Sequence, residues 1–371
     1  MRRFLRQPRK REKNLINKKM NKRLQTLLDL TKKEEASDLH ISAGHHPILR
    51  VDGDLKKVRS REIIKPEEAR AMAFEMMDEK QEDAFLAQRE ADFSYSSKNG
   101  DRFRVNVYLQ RGEVSIALRR IPNKISSPDN LNLPASIRNF SSAKQGLVLV
   151  TGPASHGKST TLATLINKIN KERFEHIVTI EDPIEYLFSS DKSLIDQREV
   201  GQDTNSFPRA LKAVFRQDPD VIMVGEMRDP ETIETTITAA ETGHLVFSTL
   251  HTNSASQTIH RIVDSFPADQ QKQIRAQLSA SLLGIVSQRL VPRREGGLIP
   301  ACEIMINNAA VSNLIREGRT HELDTTIETS SSEGMISLNK YLSNLVKAKE
   351  VSKEDALNFS TNPKSLKKLI D

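Results

Sequence analysis

Residues Gly152 to Ser159 read G-P-A-S-H-G-K-S and match the phosphate-cradling pattern G-x-x-x-x-G-K-[ST] at each fixed position. In such a loop successive backbone N–H groups, backed by the positive end of the following helix, point at an anion without being charged themselves. Lys158 then neutralises the outer phosphates of a nucleotide, and the Ser159 hydroxyl completes the coordination of a bridging Mg²⁺. The flanking pattern suits this chemistry. Leu147-Val148-Leu149-Val150 reads as a short buried strand, and Leu162, Leu165, Ile166 and Ile169 recur downstream at helical spacing. ATP and Mg²⁺ are the ligands to expect, held by Gly152, Pro153, Ala154, Ser155, His156, Gly157, Lys158, Ser159 and Thr160; the competing reading is a Gly-rich turn before an ordinary helix.

Three further segments offer side chains to such a nucleotide. Val221-Ile222-Met223-Val224-Gly225-Glu226 is an apolar strand ending in a carboxylate, and open α/β sheets bind ligands at the carboxyl ends of their strands. Glu226 is therefore a candidate to orient the attacking water or to hold Mg²⁺ through water. The run Val178-Thr179-Ile180 leads into Glu181-Asp182-Pro183-Ile184-Glu185, either a cation-binding or water-activating cluster or a solvated acidic loop. In Gly243-His244-Leu245-Val246-Phe247-Ser248-Thr249-Leu250-His251 a strand is bracketed by histidines; His251 is a candidate γ-phosphate contact, although a lone strand-end histidine is more often structural.

Together these boxes resemble the type II/type IV secretion ATPase family: the glycine loop, the acidic box at Thr179–Glu185, R-Q-D-P-D-V-I-M-V-G-E-M-R-D from Arg216, and E-T-G-H-L-V-F-S-T-L-H-T-N-S-A from Glu241. The likeness extends to A-S-D-L-H-I-S-A-G from Ala36 and R-V-D-G-D from Arg50, hence over nearly the whole chain from about residue 24. Ala310 to Glu317 is similar to a C-terminal signature of the pilus-retraction type, with Val311 and Ser312 departing from the more usual Ile-Arg. The resemblance implies an α/β fold, a RecA-like P-loop ATPase domain preceded by a small α+β, PAS-like domain. It further implies a cytoplasmic homohexamer, peripheral to the inner membrane, that hydrolyses ATP and disassembles a pilus through a membrane-embedded platform protein. It assigns water positioning to Glu185, an essential role in hydrolysis to Glu226, and a place near the nucleotide to His251.

The chain also departs from the family inside the loop, where Ala154-Ser155-His156 replaces the usual Thr-Gly-Ser. If position 155 needs a positive φ, serine there costs on the order of 1 kcal/mol. His156 either adds a donor beside the phosphates or faces outward. A single cysteine, Cys302, excludes a disulfide framework or a four-cysteine zinc site within one chain; since assembly-type members of the family commonly carry such a zinc site, the resemblance then implies retraction over assembly.

Charge is concentrated at one end: residues 1–24 hold eleven Lys and Arg against one Glu, more than the whole net charge of +7, so the remainder is mildly acidic. The start reads as a basic, disordered tail over residues 1–23, suited to anionic lipid or acidic protein or simply to solubility. An acidic body without tryptophan and with 5% aromatic residues argues against nucleic acid as the partner. The punctuation suggests an N-terminal domain over 24–122, a linker rich in Asn, Ser and Pro over 123–134 that acts as a hinge, and the ATPase domain over 135–371. Within the first, Phe103, Val105, Val107 and Leu109 alternate with Arg102 and Arg104, which leaves the arginines on the outer face, either solvated or reaching the nucleotide of a neighbouring subunit. From Pro267 onward helical patterns are expected to dominate, with Ile274, Leu278, Leu282 and Leu283 as one packed face.

Overall fold

A computed structural model describes residues 10–51, 53–122 and 125–370. The chain divides between Asn123 and Lys124 into two compact units. The first consists of α1 (Lys10–Lys33), β1 (Asp38–Ser42), β2 (Ile48–Val51), β3 (Asp54–Lys57), α2 (Pro66–Met76), α3 (Glu79–Gln88), β4 (Glu90–Ser96), β5 (Arg102–Gln110) and β6 (Glu113–Ile121). Its strands form one antiparallel sheet in the order β3-β2-β1-β6-β5-β4. Leu24, Leu27 and Leu28 share a core with Met72 and Ala73 of α2 and with Phe103, Val105 and Val107 of β5. Period-two alternation puts those β5 side chains inside and leaves Arg104 exposed on the other face.

The backbone is already helical at Lys10, so the segment read as a disordered tail is ordered over residues 10–23; residues 1–9 of that reading lie outside the described residues. The physical reason is cooperativity. A helix nucleated by the packed Leu24, Leu27 and Leu28 propagates readily through Lys, Arg, Glu, Leu and Met, all good helix formers.

The second unit contains α4 (Ala135–Asn139), β7 (Gly146–Thr151), α5 (Lys158–Glu172), β8 (His176–Glu181), β9 (Leu194–Glu199), α6 (Phe207–Val214), β10 (Val221–Val224), α7 (Pro230–Glu241), β11 (Leu245–Leu250), α8 (Ala255–Val263) and α9 (Ala268–Ser281). A hairpin of β12 (Leu282–Pro292) and β13 (Leu298–Ile306) follows, then α10 (Ala309–Glu317), α11 (Leu323–Thr329), α12 (Leu338–Lys347), α13 (Lys353–Phe359) and α14 (Pro363–Ile370). Seven strands line up as β13-β12-β7-β11-β10-β8-β9, parallel except for β13 against β12. Helices cover both faces. Leu162, Leu165 and Ile166 of α5 pack on Val148 and Val150, while Ile233 and Ile237 of α7 pack on Leu147 and Leu149.

The hairpin corrects the helical reading after Pro267. Ile274 and Leu278 do lie on α9, but Leu282 and Leu283 belong to β12. The run L-L-G-I-V-S-Q-R-L-V-P, with a glycine and β-branched residues inside and Gly296-Gly297 after it, is a strand and turn pattern; apolar residues near the junction match both periods.

Candidate active site

Four parallel strands deliver four groups to one sheet edge. Past Thr151, at the end of β7, the chain enters the loop Gly152–Gly157 and then α5, which starts at Lys158. Backbone shape explains the glycines at its two ends. Gly152 has φ 140°, and a Cβ there would lie 2.2 Å from the carbonyl oxygen of Gln288; Gly157 is left-handed at φ 79°. Ser155 is left-handed too, at φ 63°, so the position does require the conformation that serine tolerates poorly.

Lys158 is 7% exposed, and its Nζ donates to the carbonyls of Gly152 at 2.9 Å and Pro153 at 2.8 Å. The same Nζ is 3.4 Å from Nδ1 of His251. Burial lowers the lysine's pKa, and the charge of Glu185 acts in the opposite direction. His251 follows β11 directly and brings Nε2 to 3.7 Å from a carboxylate oxygen of Glu226. Burial, then the charges of Lys158 and Arg228, lower the imidazole pKa, which favours its neutral form near neutrality.

Glu226 is held from three sides. Gly225 N–H donates to Ile180 O at 2.8 Å on β8, Thr249 Oγ1 donates to Gly225 O at 2.6 Å from β11, and the Arg228 guanidinium grips the carboxylate, with Nη2 2.7 Å from Oε2. The carboxylate is mostly buried, whereas the arginine side chain is 73% exposed. Asp229, next along, caps α7 by accepting from Thr232 N–H at 2.9 Å.

The acidic box is a braced loop rather than a solvated one. Buried Glu181 accepts from Thr179 Oγ1 at 2.7 Å, Gln197 Nε2 at 3.1 Å and the backbone N–H of Glu185 at 3.3 Å. Glu199 accepts from Ile184 N–H at 3.0 Å. The brace leaves Glu185 exposed, and Tyr186 Oη sits 2.7 Å from Thr160 Oγ1 in the first turn of α5.

Burial pushes the Glu181 carboxyl up from 4.5 to about 6, with the three hydrogen bonds opposing. A raised folded-state pKa means that the folded protein binds this proton more tightly than the unfolded chain does. The contribution is therefore full below about pH 4.5 and lost as pH rises through about 6, a change of about 2 kcal/mol. Glu181→Gln is expected to remove that slope: unfolding free energy followed between pH 4.5 and 7 falls more in the wild type, and parallel curves would refute the assignment.

His156 is neither beside the phosphate cradle nor turned outward. Its Nδ1 accepts from the backbone N–H of Leu290 at 2.8 Å, and its ring meets Phe359 edge-on at 6.4 Å. Burial, then Arg289 and Lys158, lower its pKa. Ser159 lies beside Lys158 in the first turn of α5. Arg102 and Arg104 belong to the first unit; His244 precedes β11, at the opposite sheet edge from His251. Sequence reasoning missed Gln288, which is 2% exposed and contacts both the loop and α5. The only available signal was a polar pair, Gln288-Arg289, inside an apolar run.

Residues 10–365 match the profile of the type II/IV secretion system protein family. The chain is 43% identical over 339 residues to the type IV pilus retraction ATPase PilT of Pseudomonas aeruginosa, covering 91% of this chain and 98% of that protein. It is also 43% identical over 321 residues to a twitching motility protein of Neisseria gonorrhoeae, covering 86% of each. A solved structure of the pilus retraction motor PilT with bound ADP aligns with a TM-score of 0.87 at 45% identity, over 93% of this chain and 98% of that one. With the loop, the braced acidic box and the strand-end Glu226 and His251 gathered at one sheet edge, a profile match spanning nearly the whole sequence establishes that this chain belongs to the type II/IV secretion system protein family.

Proposed function

We propose that this chain is the ATPase of a pilus retraction motor, working as a cytoplasmic homohexamer docked on a platform protein at the inner membrane. The observation that carries the reading is the line of contacts from Lys158 through His251 to Glu226, in a chain similar along 91% of its length to a retraction ATPase. ATP is the substrate. Its phosphates lie against the N–H groups of Gly152–Ser159, where a Cβ on Gly152 would collide with Gln288, and Lys158 faces the outer phosphates.

The residues present suit Mg²⁺: the Ser159 hydroxyl and the Glu226 carboxylate are hard oxygen donors of the kind that ion takes, Glu226 acting through water. When bound, Mg²⁺ neutralises charge building on the phosphoryl oxygens. Glu185 orients the attacking water and Glu226 accepts its proton. His251, neutral and in reach of both Lys158 and Glu226, relays the phosphate state between them. Arg102 and Arg104 are assigned to the nucleotide of a neighbouring subunit, and residues 123–134 to the hinge through which turnover changes the angle between domains 24–122 and 135–371. The heterologous contacts of a closed ring convert that change into staged motion around a pore. Among the described residues no helix is long and apolar enough to cross a membrane, consistent with peripheral docking.

The test is Mg²⁺-dependent ATP hydrolysis by the purified chain with its assembly state read on the same sample, together with expression in a bacterium lacking its own retraction ATPase. Turnover by a hexamer and restored twitching are expected. Tight ATP binding without turnover would instead identify a nucleotide-gated regulator, and restored piliation in an assembly-deficient host would reverse the direction of the motor.

A further inference from the structure

Strand β12 runs beyond the end of its neighbour. Its parallel pairing with β7 stops at Ser287 opposite Thr151, yet β12 continues to Pro292. Along that overhang the phosphate loop takes the place of a strand. The Gln288 carbonyl oxygen lies 2.2 Å from where a Cβ on Gly152 would sit, and the Leu290 N–H donates to Nδ1 of His156 at 2.8 Å. The Gln288 side chain uses both ends of its amide: Oε1 accepts from Thr161 Oγ1 at 2.7 Å and Nε2 donates to the His156 carbonyl at 2.8 Å. One buried amide thus ties the loop apex to the first turn of α5, across sequence separations of 127 and 132 residues.

The ties fall on the residue after Ser155, whose φ of 63° disfavours any side chain but glycine's hydrogen. An inner glycine would adopt this shape at no steric cost. Serine does so only if its neighbours hold it, and His156 is fastened at both its carbonyl and its ring. We propose that Gln288 is a positioning residue for nucleotide binding, which with His156 holds the loop in the shape that its missing inner glycine would otherwise allow. Gln288 acts through the loop backbone and touches no reacting atom. The proposal rests on the loop being the nucleotide site, and the tests below separate failure of the one from failure of the other.

In the full chain, Gln288→Met keeps the length of the side chain and removes both hydrogen bonds. Hydrogen exchange of the amides in 152–159, measured without nucleotide, is expected to quicken about tenfold, because two hydrogen bonds that hold the loop closed are lost. ADP affinity is expected to fall about tenfold and KM for ATP to rise with it, while kcat changes less than about threefold. Adding Ser155→Gly to Gln288→Met should restore affinity to within about threefold, because the backbone no longer needs holding. His156→Asn, whose amide oxygen can replace Nδ1 as acceptor for Leu290, should bind ADP better than His156→Ala, and this pair tests the ties independently if Gln288→Met folds poorly. Unchanged loop exchange in Gln288→Met, or a double variant as weak as the single one, overturns the proposal. Faster loop exchange in a chain whose wild type does not bind ADP leaves the positioning role standing and removes the nucleotide reading.

Discussion

Lys158→Ala is expected to lower kcat/KM for ATP hydrolysis at least about 100-fold, the loss typical when one preorganised electrostatic group is removed from a charge-stabilising site. The geometry argues for so large an effect. The amine is almost buried and rests on two carbonyls of its own loop, so it is preorganised at the anion site at little further entropic cost. The low exposure that depresses its pKa also strengthens its attraction to phosphate, since less water screens it. Some stability should be lost as well, on the order of 1–3 kcal/mol, because the Gly152 carbonyl freed by the substitution is buried and that of Pro153 partly so. Lys158→Arg should not rescue turnover: a planar fork cannot replace a compact ammonium seated between Gly152 and Pro153. Hydrolysis and the unfolding midpoint measured on the same preparations check this, and an alanine variant keeping more than a tenth of wild-type kcat/KM would refute the placement.

Glu226→Gln is expected to act at a different stage, lowering kcat by about 10²–10⁴ while ATP remains bound. Glutamine preserves the shape, and its carbonyl can still accept from Arg228, so the strand end should stay in place. The proton acceptor and the negative charge are what it loses. The pair of variants therefore divides binding from chemistry: labelled ATP should be retained by Glu226→Gln through a desalting step and released by Lys158→Ala. Loss of binding in both would mean that Glu226 mainly shapes the cradle, in which case its contact with Arg228 matters more than its basicity.

How much of this was legible depends on whether a residue's partner lies nearby in sequence. The glycine loop, the strand before it and the helix after it are local, and so are the strand-end positions of Glu226 and His251; each announces itself by pattern alone. The alternation along β5 correctly put Arg104 outside. What failed was long-range or degenerate. Leu282 and Leu283 satisfy helical spacing from α9 and also open β12, and only the sheet, by offering a free edge at β7, settles the matter. His156 had two expected places and occupies a third because the N–H that captures it is 134 residues away. The acidic box looked solvated from its composition, but Gln197 and Glu199 on β9 turn it into a braced loop. Position 155 was flagged as a glycine replacement, and its positive φ bears out that concern, whereas nothing local indicated the residue that holds it.

The strand order β12-β7-β11-β10-β8 also has a consequence for biosynthesis. Neither neighbour of β7 in this sheet is its neighbour in the chain, so the loop after β7 is made early while the strands that flank β7, β11 and β12, are made roughly 100 residues later. A nascent chain that has emerged only as far as residue 280 carries the lysine, both glutamates and the histidine, but not the strand that lines the glycine loop. Nucleotide is therefore expected to bind this domain more weakly until β12 is made, so that most of its stabilising effect falls to a nearly complete polypeptide. Truncation within β12 would leave every catalytic group and the phosphate loop in the chain but remove the strand that braces them.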